Sequence, residues 1–245
     1  MSASFAIPPG AVRVWRGYRA PAMTQADFFA RLGSVFVPAT VKMQVAIGLD
    51  GYLPSVPAGL PGKPDKVPDE TAILFWDSAD TYADGFKTLA VRTYTLTHNA
   101  VYRPPSGADF PTLFAGVLAA EKPCYLFDAP ADWMKGPVRH LLGARPDNVS
   151  PDDFRKAVAT ALGVLQRQAA MAGAIACVGD DYLVYWELGP AVAASLDPLV
   201  RQLSWSRLMN CAPTTIDAGL WNEWPGMTIG PGDSFNMQFR RRWEA

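Results

Sequence analysis

The sequence is poor in the side chains that build metal and disulfide sites. It contains three widely separated cysteines, Cys124, Cys177 and Cys211, and only two histidines, His98 and His140. An odd number of cysteines without C-x-x-C spacing argues against a disulfide framework and a structural zinc site. Two histidines are too few for a multi-histidine metal cluster within one chain. We therefore expect reduced cysteines and no bound metal.

Neither sign of charge is in excess. The 22 basic and 23 acidic residues leave a net charge of −1, so no overall field favours nucleic acid or an anionic membrane. The first ten residues lack the basic start and apolar run of a signal peptide, and no run of about 18 apolar residues occurs. The expectation is a cytoplasmic protein that binds neither nucleic acid nor membrane.

Motifs for nucleotide and hydrolytic chemistry are also missing. The chain has no G-x-x-x-x-G-K-[ST] loop, no G-x-G-x-x-G after a strand and no G-x-S-x-G elbow. With 49% hydrophobic residues it is nevertheless rich enough to bury a large core. The function must therefore be sought in the architecture.

The informative feature that is present is internal similarity. Three short segments recur in the second half, two of them at a spacing of about 110 residues, far longer than a solenoid unit. The matched pairs are 18–22 with 127–131, 73–77 with 183–187, and 24–28 with 150–154. This similarity predicts two small domains, residues 1–118 and 119–245.

Local patterns give an element order for the first half. Strands are expected at 12–18, 41–49, 72–77 and 112–117, with a helix from Thr24 that Gly33 and Pro38 interrupt and a second from Ser78 to Tyr102. For 41–49, Met43 and Gln44 leave a helix open as the alternative. Five prolines between Leu53 and Glu70 predict an extended loop there.

The second half repeats this order. Ser150 followed by Pro151 is the best helix start in the chain. Strands are expected at 124–127, 174–178, 182–188 and 234–240, and a further helix at 197–209.

Strand-helix-strand-strand-helix-strand, written twice, is the ferredoxin-like order. On that order and the quoted repeats, the chain resembles the dimeric α/β-barrel superfamily in its fused form. The resemblance implies an α+β fold in which two tandem ferredoxin-like repeats form a pseudo-dimeric α/β barrel. The superfamily includes cofactor-free monooxygenases, polyketide cyclases, muconolactone isomerases and haem proteins, so the fold leaves the function open.

Helical spacing places Tyr94, His98 and Tyr102 in one row, where a titratable group between two aromatic rings could line a pocket. We expect His98 to be the general acid or base, with the two tyrosines orienting the ligand. The ligand-binding candidates are Arg13, Trp15, Asp77 and Glu187. Two structural alternatives stay open: His98 as a packing residue, and Asp77 as a helix cap.

Three functions remain open. The first is binding of an apolar or aromatic small molecule, with or without its cofactor-independent transformation by acid/base chemistry of the cyclase, isomerase or monooxygenase type. The second is non-catalytic assembly, with itself as a homodimer or with a partner, through tryptophans such as Trp205, Trp221 and Trp224. The third is haem binding, because His98 is the one candidate for a helical axial ligand, although haem members of the superfamily carry that ligand in the second repeat.

Overall fold

The computed structural model describes residues 7, 9–167, 172–189, 195–216 and 224–239. The described chain is α+β, with short helices and mostly antiparallel strands. Its contacts divide it into two compact units. The first unit comprises residues 11–60, 68–108 and 212–245, and the second comprises 1–10, 61–67 and 109–211.

The first unit is a sheet with helices that connect its strands. Its elements are β1 Val12–Arg19, α1 Gln25–Arg31, α2 Val37–Gln44, β2 Leu49–Ser55, β3 Glu70–Trp76, α3 Ala79–Gly85, α4 Leu89–His98, β4 Tyr102–Asp109 and β11 Phe235–Phe239. A π-helical turn, Leu32–Phe36, joins α1 to α2. The strands lie in the order β4-β1-β3-β2-β11, followed by the end of β10.

The second unit has its own strand order, β10-β7-β9-β8-β6-β5. Its elements are β5 Thr112–Leu113, β6 Cys124–Tyr125, β7 Val138–Ala144, α5 Pro151–Arg167, β8 Gly173–Val178, β9 Tyr182–Leu188, α6 Asp197–Val200 and β10 Trp205–Ile216. Within β10, residues 205–211 pair with β7, and residues 212–216 pair with β11.

Each unit contains one strand-helix-strand-strand-helix-strand series. The four strands of each series lie in the spatial order fourth, first, third, second: β4-β1-β3-β2 in the first unit and β10-β7-β9-β8 in the second. The compact units draw on interleaved segments of the chain, so they are not the halves 1–118 and 119–245. An origin by duplication with that boundary stays a prediction.

Two helices begin where their capping residues predict. The Thr24 hydroxyl accepts a hydrogen bond from the Asp27 backbone N–H, and Ser150 does the same for Asp153, both at 3.1 Å. The apolar stripe predicted for α5 is buried throughout: Phe154, Val158, Ala161, Leu162 and Leu165. The predicted strands at 12–18 and 72–77 and the hairpin of β8 and β9 are also confirmed.

The strand predicted at 41–49 is wrong, because the helix continues to Gln44 and the strand runs from Leu49 to Ser55. Gly33 does not end the helix. Its missing side chain admits the Met227 carbonyl oxygen, which would lie 2.0 Å from a Cβ. Pro54 lies within β2, so the proline-rich loop begins later than predicted.

The long helix predicted from Ser78 to Tyr102 is two helices, α3 and α4, and Tyr102 is the first residue of β4. Pro104 and Pro105 lie inside that strand. Strand β4 ends its sheet, and prolines are tolerated at an edge because no further strand needs their missing N–H. The strand expected at 112–117 is only Thr112–Leu113 and belongs to the second unit.

In the second half, the first strand of the series is β7 and not 124–127, of which only Cys124–Tyr125 is a strand. The helix predicted at 197–209 stops at Val200. From Leu208 the burial alternates, with Met209 and Cys211 buried, as pairing with β7 requires. Tertiary pairing therefore overrides the local helical preference.

Among the described residues, no helix combines the length and the apolar character needed to cross a bilayer.

Candidate functional site

A cavity of about 310 Å³ lies within the first unit. Strands β1 to β4, the π-helical turn and helices α2, α3 and α4 form its wall, which is dominated by aromatic rings. Residues 53–69, the proline-rich segment, contribute nothing to the wall. The cavity is therefore a feature of one unit, lined by its own sheet and helices and partly open to solvent.

Simple periodicity positions the lining side chains. In β1, Val12 and Val14 are buried, while the alternate residues Arg13 and Trp15 face the cavity. In α4, Val91, Tyr94 and His98 line the cavity at spacings of three and four, which place them on one helix face. Phe36, Thr40 and Gln44 do the same at spacings of four.

His98 is enclosed by aromatic rings. Its ring centroid lies 5.2 Å from that of Trp15, 5.3 Å from Phe36, 4.7 Å from Tyr94 and 5.7 Å from Tyr102. Its Nδ1 atom lies 3.3 Å from the backbone oxygen of Tyr94. A carbonyl oxygen can only accept, so this contact places the proton on Nδ1 and leaves the lone pair on Nε2.

The pKa of His98 is lowered, chiefly because burial disfavours the charged imidazolium, and the nearby Arg13 charge adds to this effect. Backbone hydrogen bonds to Tyr94 and Thr95 oppose it. The imidazole is therefore neutral at neutral pH and has a basic nitrogen available.

Glu70, the first residue of β3, is a buried carboxyl group in the same wall. Its Oε2 atom accepts from Trp15 Nε1 at 2.9 Å and from the Tyr102 hydroxyl, and its Oε1 atom accepts from the Tyr52 hydroxyl at 3.1 Å. Burial raises the pKa of Glu70, although the three hydrogen bonds favour its ionised form. All three of these donors are neutral.

The tyrosines of the wall remain protonated. Burial is the main cause that raises the pKa of Tyr94 and of Tyr102, and the charge of Glu70 acts in the same direction. The Tyr94 hydroxyl bonds the Thr40 hydroxyl, and the Tyr102 hydroxyl bonds Glu70. Both phenols can therefore act as hydrogen-bond donors across the neutral pH range.

Arg13 supplies positive charge to the wall. Its guanidinium carbon lies 4.3 Å from the centroid of the Tyr82 ring, within the range of a cation–π contact. Its Nη2 atom donates to the Ala108 backbone oxygen at 3.4 Å. A guanidinium held in this way can stabilise an anionic oxygen on a ligand.

The structure brings five of the seven predicted site residues together: His98, Tyr94, Tyr102, Arg13 and Trp15 all line the cavity. Asp77 is exposed and lies outside the lining, and Glu187 belongs to the second unit. Tyr102 reaches the site from β4 and not from the helical row that predicted it. The catalytic and binding roles themselves stay predictions.

The sequence analysis missed Glu70 and Tyr52. Both lie beside the proline-rich segment, which we treated as a loop, although each is in a strand. The available signal was a single acidic residue at the start of the otherwise apolar run Thr71–Trp76. Such an acid is unusual in a fully buried strand and suggests a specific partner.

Among the described residues, no three His, Cys, Asp or Glu side chains gather in a way that could hold a metal ion. For haem, His98 is the residue that would act as axial ligand. Four rings surround it, and about 310 Å³ lies at the lower end of the range of roughly 300–1,000 Å³ for small-molecule sites. Haem binding through His98 stays a prediction.

No family model matches the chain, and no curated protein matches it. Solved structures with some likeness include a proposed monooxygenase from Lactobacillus acidophilus, with 10% identity, a TM-score of 0.36, and coverage of 81% of this chain and 91% of that one. Another, from Fusobacterium nucleatum, has 10% identity, a TM-score of 0.37, and coverage of 83% and 91%. An anthrone oxidase-like protein has 6% identity, a TM-score of 0.33, and coverage of 81% and 87%. Likeness at this level establishes neither a family nor an activity for this chain.

Proposed function

We propose that the chain binds an apolar or aromatic small molecule in the cavity of its first unit and transforms it by acid/base chemistry without a metal. One observation carries this proposal. A neutral imidazole with a basic nitrogen is held by four aromatic rings in the wall of a partly open cavity that also contains Arg13. A neutral base beside a cation is suited to forming and stabilising an anion.

The cavity favours a planar ligand. Its aromatic wall presents ring faces and edges, which pack well against another aromatic system. About 310 Å³ suits a ligand of one to three rings. The polar groups at Arg13, His98, Tyr94 and Tyr102 would orient a ligand that also carries oxygen.

In the proposed reaction, His98 Nε2 removes a proton from an acidic O–H or C–H bond of the ligand. Arg13 then stabilises the oxyanion, while Tyr94 and Tyr102 orient the ring by hydrogen bonds and edge contacts. Isomerisation, ring closure and cofactor-free oxygenation can each begin with such an anion, so the proposal specifies the first step and leaves its continuation open.

The wider architecture in this proposal is two fused ferredoxin-like repeats. The shared strand order of the two units supports it. Packing of the repeats into a pseudo-dimeric barrel stays a prediction, as do a homodimer and haem binding. For assembly through tryptophans, Trp205 and Trp224 are only half-buried, whereas Trp221 lies outside the described residues.

Binding is tested by calorimetric titration of a panel of hydroxylated one- to three-ring aromatic compounds. Asn99 is an exposed residue of the cavity wall, and Asn99→Trp should block the cavity and abolish binding. Arg92→Trp places the same side chain on α4 at an exposed position outside the wall, and binding should persist. The proposal would be refuted if Asn99→Trp bound the ligand as the wild type does, or if no compound of the panel bound to the wild-type protein.

Catalysis is tested with whichever panel compound the protein turns over. His98→Ala should lower kcat by about 10²–10⁴-fold, the usual contribution of a positioned base. The dissociation constant should change much less, because the aromatic wall remains. Unchanged turnover would remove the catalytic role of His98 and leave a binding protein.

A further inference from the structure

Glu70 has an unused acceptor position in the cavity wall. A carboxylate oxygen can accept two hydrogen bonds, so the group has about four positions. Oε2 accepts from both Trp15 and Tyr102 and is saturated, whereas Oε1 accepts from Tyr52 alone among the residues that the structure describes. One position on Oε1 therefore remains for a donor, and the residue lines the cavity in which a ligand would lie.

We propose that Glu70 is a second proton-transfer group of this site, which accepts the proton of an acidic ligand hydroxyl on its Oε1 atom. The ligand O–H bond breaks, its electron pair stays on the ligand oxygen, and a new O–H bond forms on Glu70. The pair carries one negative charge before and after the transfer. This inference rests on the proposed function, because it requires the same ligand, and it narrows the ligand class to aromatic compounds with an ionisable hydroxyl.

The surroundings of Glu70 favour this role over that of a structural carboxylate. Its donors come from three strands, with Trp15 on β1, Tyr52 on β2 and Tyr102 on β4, and all three are neutral. A buried carboxylate that is balanced by hydrogen bonds and not by a cation has much to gain from a proton. The three donors also fix its orientation, so little reorganisation accompanies the transfer.

Glu70 and His98 share neighbours. Trp15 and Tyr102 each bond Glu70 and each also lie in ring contact with His98. Tyr94 and Arg13 are the other ionisable groups of the wall that influence this pair. Glu70 would accept the proton of the ligand hydroxyl. His98 would remain neutral and could accept a second proton, such as one from a ring carbon.

The test measures protons taken up on binding of 4-nitrophenol. Above the pKa of free 4-nitrophenol, the probe is an anion in solution and Glu70 is ionised. The phenolate oxygen and Glu70 Oε1 then repel each other, so they can form a hydrogen bond only if one proton is taken up between them. Calorimetry in two buffers with different ionisation enthalpies should show uptake of one proton per ligand bound by the wild-type protein. In Glu70→Gln this uptake should fall to zero while binding persists.

Two further variants make the test decisive. Arg92→Trp changes an exposed position of α4 outside the wall and leaves Glu70 and its three donors in place, so its proton uptake should match the wild type. Tyr52→Phe removes the hydroxyl that donates to Oε1, which favours protonated Glu70 in the free protein. The pH above which uptake is observed should then move upward. If circular dichroism shows that Glu70→Gln does not fold, the shift in Tyr52→Phe tests the role of Glu70 instead.

The outcomes separate the two proposals. Binding without proton uptake, or equal uptake in the wild type and Glu70→Gln, overturns the role of Glu70 and leaves the proposed function standing. If neither 4-nitrophenol nor any compound of the panel binds, the proposed function fails and this inference fails with it.

Discussion

Two buried glutamates distinguish the two units. Glu70 in the first unit is 2% exposed, and Glu187 in the second is 1% exposed. Glu187 accepts from Arg139 Nε at 2.5 Å and from the Tyr185 hydroxyl at 3.1 Å. Glu70 accepts from an indole and two phenols. The same side chain at the same depth is thus part of an ion pair in one unit and of a neutral network beside a cavity in the other.

The helices explain why the first unit has a cavity. In the second unit, α5 runs for 17 residues and fills the space over its sheet with one apolar stripe. In the first unit, the corresponding segments are interrupted: α1 passes into a π-helical turn before α2, and α3 is separated from α4. Shorter helices carrying large rings leave space between them, which an uninterrupted aliphatic stripe does not.

The largest expected effect is at the ion pair. Arg139→Met should lower the free energy of unfolding by about 3 kcal/mol, because it leaves the Glu187 charge buried without its cation. Glu70→Gln should cost only about 1 kcal/mol, since an amide can replace most of the hydrogen bonds of a carboxyl that has no ion pair. Urea unfolding of both variants measures the difference. Equal losses would show that the two carboxyls are not distinguished by their partners.

A similar effect should appear in acid for the buried histidine of the second unit. Burial is the main cause that lowers the pKa of His140 to about 4. Below its unfolded value near 6.5, the unfolded chain therefore takes up a proton that the folded chain refuses, and stability falls as the pH drops towards 4. The loss should reach roughly 3 kcal/mol.

His140→Phe provides the control for that prediction. It retains a ring to stack on Trp186, whose centroid lies 4.3 Å away, and removes the titration. The pH dependence of the unfolding free energy between 6.5 and 4 should flatten. An unchanged slope would show that other groups cause the acid sensitivity.

Glu70 should have the opposite pH dependence. Because its folded pKa is raised, the folded protein retains a proton that the unfolded chain has lost, and stability falls as the pH rises from the unfolded value near 4.5 through the folded value. Each unit of pKa difference contributes about 1.4 kcal/mol. Glu70→Gln should remove this part of the profile, so the variant gains relative to the wild type as the pH rises above the unfolded value near 4.5. A constant difference between the two profiles would contradict the raised pKa.

The smallest expected effects are at the helix caps. Thr24→Ala and Ser150→Ala should each lower stability by about 1 kcal/mol, because each leaves one backbone N–H of a first turn without its acceptor. Thermal unfolding compares the two units directly. A loss of several kcal/mol at one cap only would show that this helix depends on its start far more than on its packing.

Local signals predicted part of this fold. Helix α5 combines a capping serine, a proline at its first position and a regular apolar stripe, so it was predicted correctly. The hairpin of β8 and β9 was equally clear from its short polar turn. The prediction failed around residues 33–55. Gly33 suggests a break in the helix, but it makes room for the distant Met227 carbonyl oxygen. Pro54 suggests a loop, but pairing with β3 holds it in strand β2.

The site was predicted in part for a different reason. His98 and Tyr94 share a helix face, so periodicity brought them together. Tyr102 was chosen for a helical row and reaches the cavity from a strand. Glu70 could not be placed there, because its three donors come from β1, β2 and β4, and their meeting is a property of strand order and not of any local pattern.

The most direct test of the account is the NMR spectrum of the tryptophan indole N–H groups during titration with a hydroxylated aromatic compound. Trp15 donates to Glu70 in the cavity, whereas Trp186 is buried in the second unit. We expect the Trp15 signal, assigned through Trp15→Phe, to move to saturation while the Trp186 signal stays in place. Movement of Trp186 without Trp15 would place the binding site elsewhere and contradict the account.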